Sequence, residues 1–550
     1  MPTFTITADG GADATDTFSA VQQQIGAGDT VVVEDGTYTL REPIELTSKD
    51  SGTTWQAAPG ASVVISGGGR DMSLVTMEGV QDVAISGFTF TDTSGGEEYD
   101  NTPAAISIIN DSSNIRLTDN TFTDVAEGVE VMFGANTVTV ADSTFTDIGG
   151  HAIDFDDGSS FNIASKNTIL RAGAEFPDAA AIEMSESVGN TITGNVIKDS
   201  PRHAIEEQNW DPTNPSGGNL IEFNEIENYM LETEDGGAIY MFGGDDPITP
   251  FRSTIQYNRI EGEANDFSWG IYLDDLVNGG SIIGNYVNGG GVASLMIHGG
   301  DRNEVTNNVF LNAEQYGITV QTGLVNPDDP ILLDNIHHNI FAPDQGIFGA
   351  SDARGIQFHD NIYVGGPDNQ FFGWDGETFE EWQESGGDRG SIVLDSLPGF
   401  TPGGGTDPDN NPGLPDGFPG FRPDLPNFNP DWDPIFGSRN LNPDFDPNLD
   451  PDLQLGGDED EALALDEDEV PTGTMLSQLG QTDDEPQFML PDDEADVADG
   501  DEIELDDDDM AQLPDDLVPA PGGSIPDETT PSFGRMSFIP QQDAMMLPVS

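Results

Sequence analysis

The sequence predicts an all-β solenoid of stacked coils, and three observations predict it. Residues 80 to 365 repeat a strand-length segment that ends in Asn, any residue and an apolar residue, as in "TITGNVI". The Asn positions recur every 22 to 34 residues, and no long helical pattern lies between them. A second apolar segment, such as "GAIYMF", lies between successive Asn segments. Repeats of this length that are built from strands are typical of solenoids.

The repeated Asn is predicted to form an internal ladder. Alternation along "TITGNVI" points Ile192 into the core and places Asn195 at a bend. There the amide can hydrogen-bond to backbone groups of neighbouring coils, so a structural role is expected rather than a catalytic one. The column comprises Asn120, Ser143, Asn167, Asn195, Asn224, Asn258, Asn285, Asn308, Asn339 and Asn361.

The second apolar segment supplies a hydrophobic spine and a solvent-facing surface. The predicted inward column is Ile106, Val129, Ile153, Ile182, Ile205, Ile239, Ile271, Leu295 and Ile318. The next residue of each segment points outward, and neighbouring coils lie about 4.8 Å apart, as strands in a sheet do. These outward residues therefore form one continuous face, acidic in the early coils and rich in Tyr, Phe, Asp and His in the later ones.

Both ends of the solenoid carry helical patterns. At the amino end, "DTFSAVQQQI" places Phe18, Val21 and Ile25 on one helical face behind an Asp16 cap, suited to covering the first coil. At the other end, "TFEEWQESGGD" predicts a short helix and a turn before "SIVLD". The ordered domain is therefore expected at residues 1–400.

The segment 401–550 differs from the rest in composition. It holds 38 acidic residues, 3 basic residues and 22 of the 37 prolines. High charge and many prolines cannot offset the entropy of ordering, so an acidic, mostly disordered tail is predicted.

Composition excludes several functions. A net charge of −86 makes nucleic acid an implausible partner. The chain has no cysteine, which rules out disulfides and thiolate chemistry, and no apolar run long enough for a membrane-spanning helix. Few basic residues and many acids suggest salty surroundings, calcium, or simply a solvated acidic surface.

The densest group of chemically active side chains spans three successive coils: "EDGGAIY" (234–240), "WGIYLDD" (269–275) and "MIHGGDR" (296–302). Paired carboxyl groups can supply the acid and the base or nucleophile of glycosidic cleavage, and aromatic rings can lie against sugars. Such a face suits a carbohydrate chain.

These segments, in this order, resemble right-handed parallel β-helix carbohydrate-active proteins, particularly the glycoside hydrolases that include β-xylosidases and α-fucosidases. The matching pieces are "ETEDGGAIY", "GIYLDD", "HGGDRNEVTNNVF" and "TFEEWQESGGDRGSIVLD". The resemblance implies a right-handed parallel β-helix and, as the catalytic pair, Asp235 with Asp274 or Asp275. "GGDRN" departs from the family's "GGRDN", which puts the role of Arg302 in doubt.

Other candidates surround this pair. His298 should lie one coil from Asp274, close enough to orient the carboxylate or exchange a proton, and Glu206 is a reserve acid or base. Sugar contacts are expected from Tyr240, Trp269 and Tyr272. The alternatives are an Asp-Gly turn for Asp235, a surface histidine for His298 and loop packing for the aromatic residues.

Three functions remain open at this stage. The first is a hydrolase of polysaccharides, the second a uronate lyase or C5-epimerase using His298, Tyr272 and Arg302, and the third a carbohydrate-binding or adhesion solenoid. No cofactor is required, although calcium could bind Glu130, Asp154, Asp156 and Glu183. A monomer outside the cell is expected, exported without a classical signal peptide, for example by a type I route.

Overall fold

The computed structural model describes residues 2–8, 14–95, 102–211, 216–243, 252–275, 277–300, 302–321, 334–350, 356–365 and 378–395. The predicted tail, 401–550, lies outside the described residues, as does the part of the 1–400 domain that falls between these ranges.

The described chain winds into a parallel β-solenoid with three sheets, because each turn adds one strand to each sheet in the same order. All strand pairs are parallel, and the twelve-stranded sheet marks about 12 turns. The first sheet contains Thr3–Ile6, Thr30–Val33, Thr54–Ala57, Ala84–Ser86, Ser113–Thr118, Asn136–Ala141, Ile163–Ser165, Thr191–Thr193, Leu220–Glu222, Thr254–Gln256, Ser281–Ile283, Glu304–Thr306, Asn335–His337, Gln357–His359 and Asp388–Arg389.

The second and third sheets complete the walls. The second contains Gly36–Thr39, Val63–Arg70, Phe88–Thr93, Thr121–Thr123, Thr144–Ile148, Thr168–Ala172, Val196–Lys198, Glu225–Glu227, Arg259–Glu261, Tyr286–Asn288, Val309–Leu311, Ile340–Ala342, Ile362–Val364 and Ile392–Leu394. The third contains Ile44–Thr47, Val75–Glu78, Ala104–Ile109, Glu127–Val131, Ile153–Phe155, Ile182–Ser185, Ile205–Gln208, Gly236–Phe242, Ser268–Asp274, Ala293–His298, Tyr316–Gln321 and Gly346–Ala350.

The predicted spine is confirmed residue by residue. Ile106 pairs with Val129, and the register then continues along the third sheet to Leu295 and Ile318. Every member of this column is fully buried. Aromatic rings stack in the same way on the second sheet, where the centroids of Phe122 and Phe145 lie 4.6 Å apart. The core is therefore a set of side-chain columns that run along the solenoid axis.

The Asn ladder is also confirmed. In a typical rung, the Asn224 Oδ1 accepts from the backbone N–H and the Nδ2 of Asn195, each at 3.0 Å. The Asn224 Nδ2 donates to the Ile192 carbonyl and to the Asn258 Oδ1, each at 2.9 Å. Each buried side-chain amide thus hydrogen-bonds to backbone groups of the preceding rung and to the side-chain amides of both neighbouring ladder residues.

A second ladder, which the sequence analysis did not detect, lies five residues before the first. The backbone N–H of Asn162 donates to the Asn190 Oδ1 at 2.9 Å, and that of Asn190 donates to the Asn219 Oδ1 at 2.7 Å. Farther along, Gly280 donates to Asn303, and Asn303 donates to Asp334. The available signal was a polar residue five positions before six of the ladder residues: Asn167, Asn195, Asn224, Asn258, Asn308 and Asn339.

Helices occur near both ends of the described solenoid. The first spans Thr15–Gln22, and its Phe18 is buried against the rings of Tyr38 and Trp55. Its N-cap residue is Ala14, so the predicted Asp16 cap is wrong: Asp16 lies inside the first turn, where its charge favours the helix dipole. That this helix covers the first coil stays a prediction. The second helix, Phe379–Ser385, is predicted correctly and begins with a capping box at Thr378.

Among the helices within these ranges, none is both long and apolar enough to cross a membrane.

Candidate functional site

The outward face of the third sheet carries the predicted rows. Glu206 pairs with Tyr240, Tyr240 with Tyr272, and Tyr272 with Met296. On the parallel row, Phe242 pairs with Asp274. Three successive rungs therefore contribute to one group of side chains, as expected from the sequence.

Asp274 is the centre of this group. Its carboxylate accepts hydrogen bonds from the Tyr240 hydroxyl at 2.6 Å, from the His298 Nδ1 at 2.5 Å and from the Asp275 backbone N–H at 2.9 Å. Donors from three rungs thus hold the carboxylate in one orientation. The prediction that His298 reaches Asp274 from the next coil is confirmed.

His298 forms a pair with Asp274. Because its Nδ1 donates to the carboxylate, its Nε2 is the nitrogen left to take or give a proton. Burial opposes protonation of the ring, but the hydrogen bond and the charge of Asp274 outweigh it and raise the pKa of His298 above its usual value. The Tyr272 hydroxyl lies 3.5 Å from the same Nδ1.

Asp235 lies at the entry to the strand Gly236–Phe242. Its φ of 60° is left-handed, so the Asp-Gly turn is present, and its side chain is exposed. Desolvation by its neighbours, followed by the negative charge of Asp274, raises the pKa of Asp235, while His298 and a hydrogen bond from Tyr272 oppose the shift. The turn alone does not explain this pKa shift, because the charges of Asp274 and His298 also act on the Asp235 carboxyl group.

Asp275 begins the turn after the strand that Asp274 ends, as predicted. Its Oδ1 lies 3.8 Å from the His298 Nδ1, and its side chain is 12% exposed, against 16% for Asp274. One ligand atom each of Asp274, Asp275 and His298 lies within 4.8 Å of the other two, so the same group could hold a cation.

Aromatic rings form a layer beneath the carboxylates. Trp269 and Tyr272 are 2% and 3% exposed, and their ring centroids lie 4.7 Å apart. The Trp269 indole N–H donates to the Thr319 hydroxyl at 2.7 Å. Tyr240 is half-buried and is therefore the better placed of the three predicted sugar contacts. Contact of Trp269 and Tyr272 with a sugar stays a prediction.

Arg302 lies in the turn before the strand Glu304–Thr306, where its side chain is exposed and its φ is 59°. Its predicted contact with the substrate stays a prediction.

His203 is a residue of this site that the sequence analysis missed. Its ring stacks on Tyr240 with centroids 4.4 Å apart, and its Nε2 lies 3.7 Å from the Glu206 Oε1. Burial lowers the pKa of His203 well below its usual value and raises the pKa of Glu206, so both are neutral at neutral pH. The available signal was its position two residues before the spine residue Ile205, at the start of an outward row.

The acidic row continues into the earlier coils. His151 forms an ion pair with Glu183 at 2.6 Å, and although burial opposes it, the charge of Glu183 raises the pKa of His151 to about 10. Burial, followed by the charge of Asp154, raises the pKa of Glu127. The protonated His151 ring therefore places a positive charge beside the acidic row.

Glu207 is fully buried in the core, where burial disfavours the charged form of its carboxyl group. Its Oε1 accepts from the Asn219 Nδ2 and the Ser253 hydroxyl, both at 2.8 Å. Burial outweighs these bonds and raises the pKa of Glu207 from 4.5 to about 8.

We expect Glu207→Gln to remove a pH dependence of stability. Because the folded-state pKa is raised, the stabilisation is complete below pH 4.5 and is lost as the pH rises to about 8. Gln preserves the acceptor and cannot ionise, so the variant should exceed the native free energy of unfolding by about 4 kcal/mol at pH 8 and match it at pH 4. Denaturant unfolding between pH 4 and pH 8 measures the free energy of unfolding of the native protein and of the variant. The same dependence of this free energy on pH in both proteins would contradict the expectation.

Comparisons with known proteins agree with the fold. Residues 59–226 match the family model described as the right handed beta helix region. No curated protein sequence matches the chain significantly.

The chain is also similar to solved structures, which include the following three. PfbA, a surface adhesin of Streptococcus pneumoniae, has 14% identity and a TM-score of 0.47, covering 64% of this chain and 93% of its own. XylC in complex with xylose has 13% identity and a TM-score of 0.44, covering 71% and 86%. The A-module of the mannuronan C-5 epimerase AlgE6 of Azotobacter vinelandii has 12% identity and a TM-score of 0.42, covering 70% and 97%.

Proposed function

We propose that this right-handed β-helix protein is a glycoside hydrolase that cleaves a polysaccharide outside the cell. The proposal is supported by the contacts of Asp274 and Asp275 with His298 of the next rung, and by the charges of Asp274 and His298 that act on Asp235 at the entry to the preceding rung.

The chemistry requires a proton donor for the leaving oxygen and a second carboxylate as base or nucleophile. Asp235 suits the donor, because its raised pKa keeps the proton on the carboxyl group to higher pH than usual. Asp274 or Asp275 supplies the second carboxylate. His298 and Tyr240 position Asp274 through their hydrogen bonds.

The charge of the face favours a neutral polysaccharide. Glu130, Asp154 and Glu183 lie in register with Glu206 along the same row. Carboxylates accept hydrogen bonds from sugar hydroxyls, but they repel the carboxylates of a polyuronate. A bound calcium ion would reverse that preference, so calcium is part of the test.

A panel of neutral and uronate polysaccharides, each with and without calcium, tests the proposal. We expect new reducing ends from a neutral polymer, without the ultraviolet absorbance of an unsaturated uronate. Reducing ends should appear at the same rate after calcium is chelated. Binding of the glycan without turnover would instead favour a binding or adhesion protein and would contradict the hydrolase.

The second candidate is a uronate lyase or C5-epimerase, and the Asp274–His298 pair favours it. An oriented imidazole with its Nε2 available, near the Tyr272 hydroxyl, can act as a base at C5. The cation that this chemistry needs to neutralise the substrate carboxylate could be Arg302 or calcium. Unsaturated products or inverted uronates from the same panel would select this function.

A further inference from the structure

Three of the six histidines of the chain form a cluster on the first sheet, away from the carboxylate face of the third sheet. His337 and His359 are register partners on adjacent rungs, and their rings stack with centroids 4.6 Å apart and planes 5° apart. His338 follows His337 at a left-handed turn position. One ligand atom from each of the three lies within 4.8 Å of the other two.

Hydrogen bonds fix which nitrogens are available. The Nε2 of His337 donates to the Glu304 carboxylate, so its Nδ1 is the nitrogen that can offer a lone pair, either to a metal or to the Thr306 hydroxyl 3.3 Å away. That Nδ1 lies 2.6 Å from the Nδ1 of His338. A carboxylate that accepts from the far nitrogen of an imidazole is the usual support of a metal-bound histidine.

His359 has the same arrangement. Asn335 donates its Nδ2 to Glu304, so its Oδ1 is left to accept from the His359 Nε2 at 3.0 Å. The other nitrogen, Nδ1, then faces the Asp360 Oδ2 at 3.0 Å. Two acceptors at this distance repel each other unless a proton or a metal cation lies between them.

The local charge also suits a cation. Glu304 and Asp360 supply two negative charges, and Arg389, the register partner of His359 on the next rung, supplies one positive charge. The competing arrangement without metal is a proton shared between His337 and His338 and a second proton on His359. It satisfies the same contacts: His338 stays neutral with its proton on Nδ1, and His359 carries one positive charge beside the Asp360 carboxylate.

We propose that His337, His338 and His359 bind one divalent transition ion of the Zn²⁺ or Ni²⁺ class and clamp adjacent rungs near the carboxyl end of the described solenoid. Imidazole nitrogens suit these ions, whereas calcium prefers oxygen ligands. Ligand atoms around a tetrahedral Zn²⁺ lie roughly 3.4 Å apart, so small ring rotations would bring these nitrogens to the required spacing. The Asp360 Oδ2 lies 3.0 Å from the His359 Nδ1 but is not part of the group of three ligand atoms, so a solvent molecule would complete the coordination.

Calorimetric titration of the full chain with Zn²⁺, in excess Mg²⁺ to occupy the surface carboxylates, tests the proposal. We expect one saturable site per chain and a thermal unfolding midpoint that rises with Zn²⁺. His338→Asn, which tolerates the left-handed turn, and His359→Asn should each weaken binding at least about tenfold and abolish the thermal shift.

His298→Asn is the matched control, because it removes a histidine from the other cluster that could hold a metal. It should leave the affinity for Zn²⁺ unchanged. Loss of binding in His298→Asn with retention in both first-sheet variants would overturn the proposal, as would the lack of a saturable site in the native chain. If His338→Asn fails to fold, His359→Asn alone decides.

Discussion

Asp235→Asn is expected to slow cleavage of the natural polysaccharide by about 10³-fold, with no change in the thermal unfolding midpoint. General acid catalysis contributes roughly 10² to 10⁴ in rate, and an amide cannot donate the proton that a carboxyl group gives. Asn adopts the left-handed conformation as readily as Asp, so the turn at φ 60° is preserved. Reducing-end assays at saturating substrate measure the effect on kcat.

Asp142→Asn is the matched control for this experiment. Asp142 is also an exposed Asp with a left-handed backbone, at φ 51°, and its N–H donates to a backbone carbonyl just as that of Asp235 does. It lies at a turn beside the Asn ladder, away from the third-sheet face. Equal activity of the two variants would mean that Asp235 only forms the turn and takes no part in catalysis.

Asn224→Ala is expected to lower the free energy of unfolding by about 4 kcal/mol. The substitution leaves the backbone N–H of Asn195 and the carbonyl of Ile192 buried without their ladder partners. Each such group costs about 1–3 kcal/mol, and the small cavity adds to this. Chemical denaturation followed by circular dichroism measures the change.

Ser143 stands in the ladder column in place of Asn, so the reverse substitution, Ser143→Asn, is a control for Asn224→Ala. The Ser143 hydroxyl accepts from the backbone N–H of Asn120 on the preceding rung and donates its one proton to the Ala141 carbonyl on its own rung, so it cannot also donate to the preceding rung as an amide does. By the geometry of the other rungs, Ser143→Asn should reach the carbonyl of Leu117 and raise stability by about 1 kcal/mol. If Asn224→Ala proves neutral, the ladder does not hold the rungs together.

The architecture could be predicted from the sequence because each turn of a solenoid repeats the same pattern of apolar and Asn positions. The period of the Asn segments and the alternation around Ile239 and Ile271 were sufficient to give the register of the third sheet. Once the register was known, the adjacency of Asp274 and His298 followed from the spacing of the rungs.

Other features depend on side-chain direction, which a register does not provide. Tyr272 lies on the outward row, yet it is buried because Trp269 and other neighbouring side chains pack against it. His203 lies before the row's strand and reaches Tyr240 only through ring stacking. In the histidine cluster, the repeat aligns His337 with His359, but the approach of His338 depends on ring orientation at a turn, which periodicity does not predict.

The most direct test of the central claim is the dependence of each carboxylate variant on the leaving group. An aryl glycoside of the released sugar, with an acidic phenol as leaving group, departs without protonation. We expect Asp235→Asn to recover most of its activity on that substrate, while the variant of whichever of Asp274 and Asp275 is the base or nucleophile stays inactive on both substrates. Equal losses of Asp235→Asn on the aryl glycoside and on the polysaccharide would contradict the assignment of Asp235 as the acid that works with the Asp274–Asp275 pair.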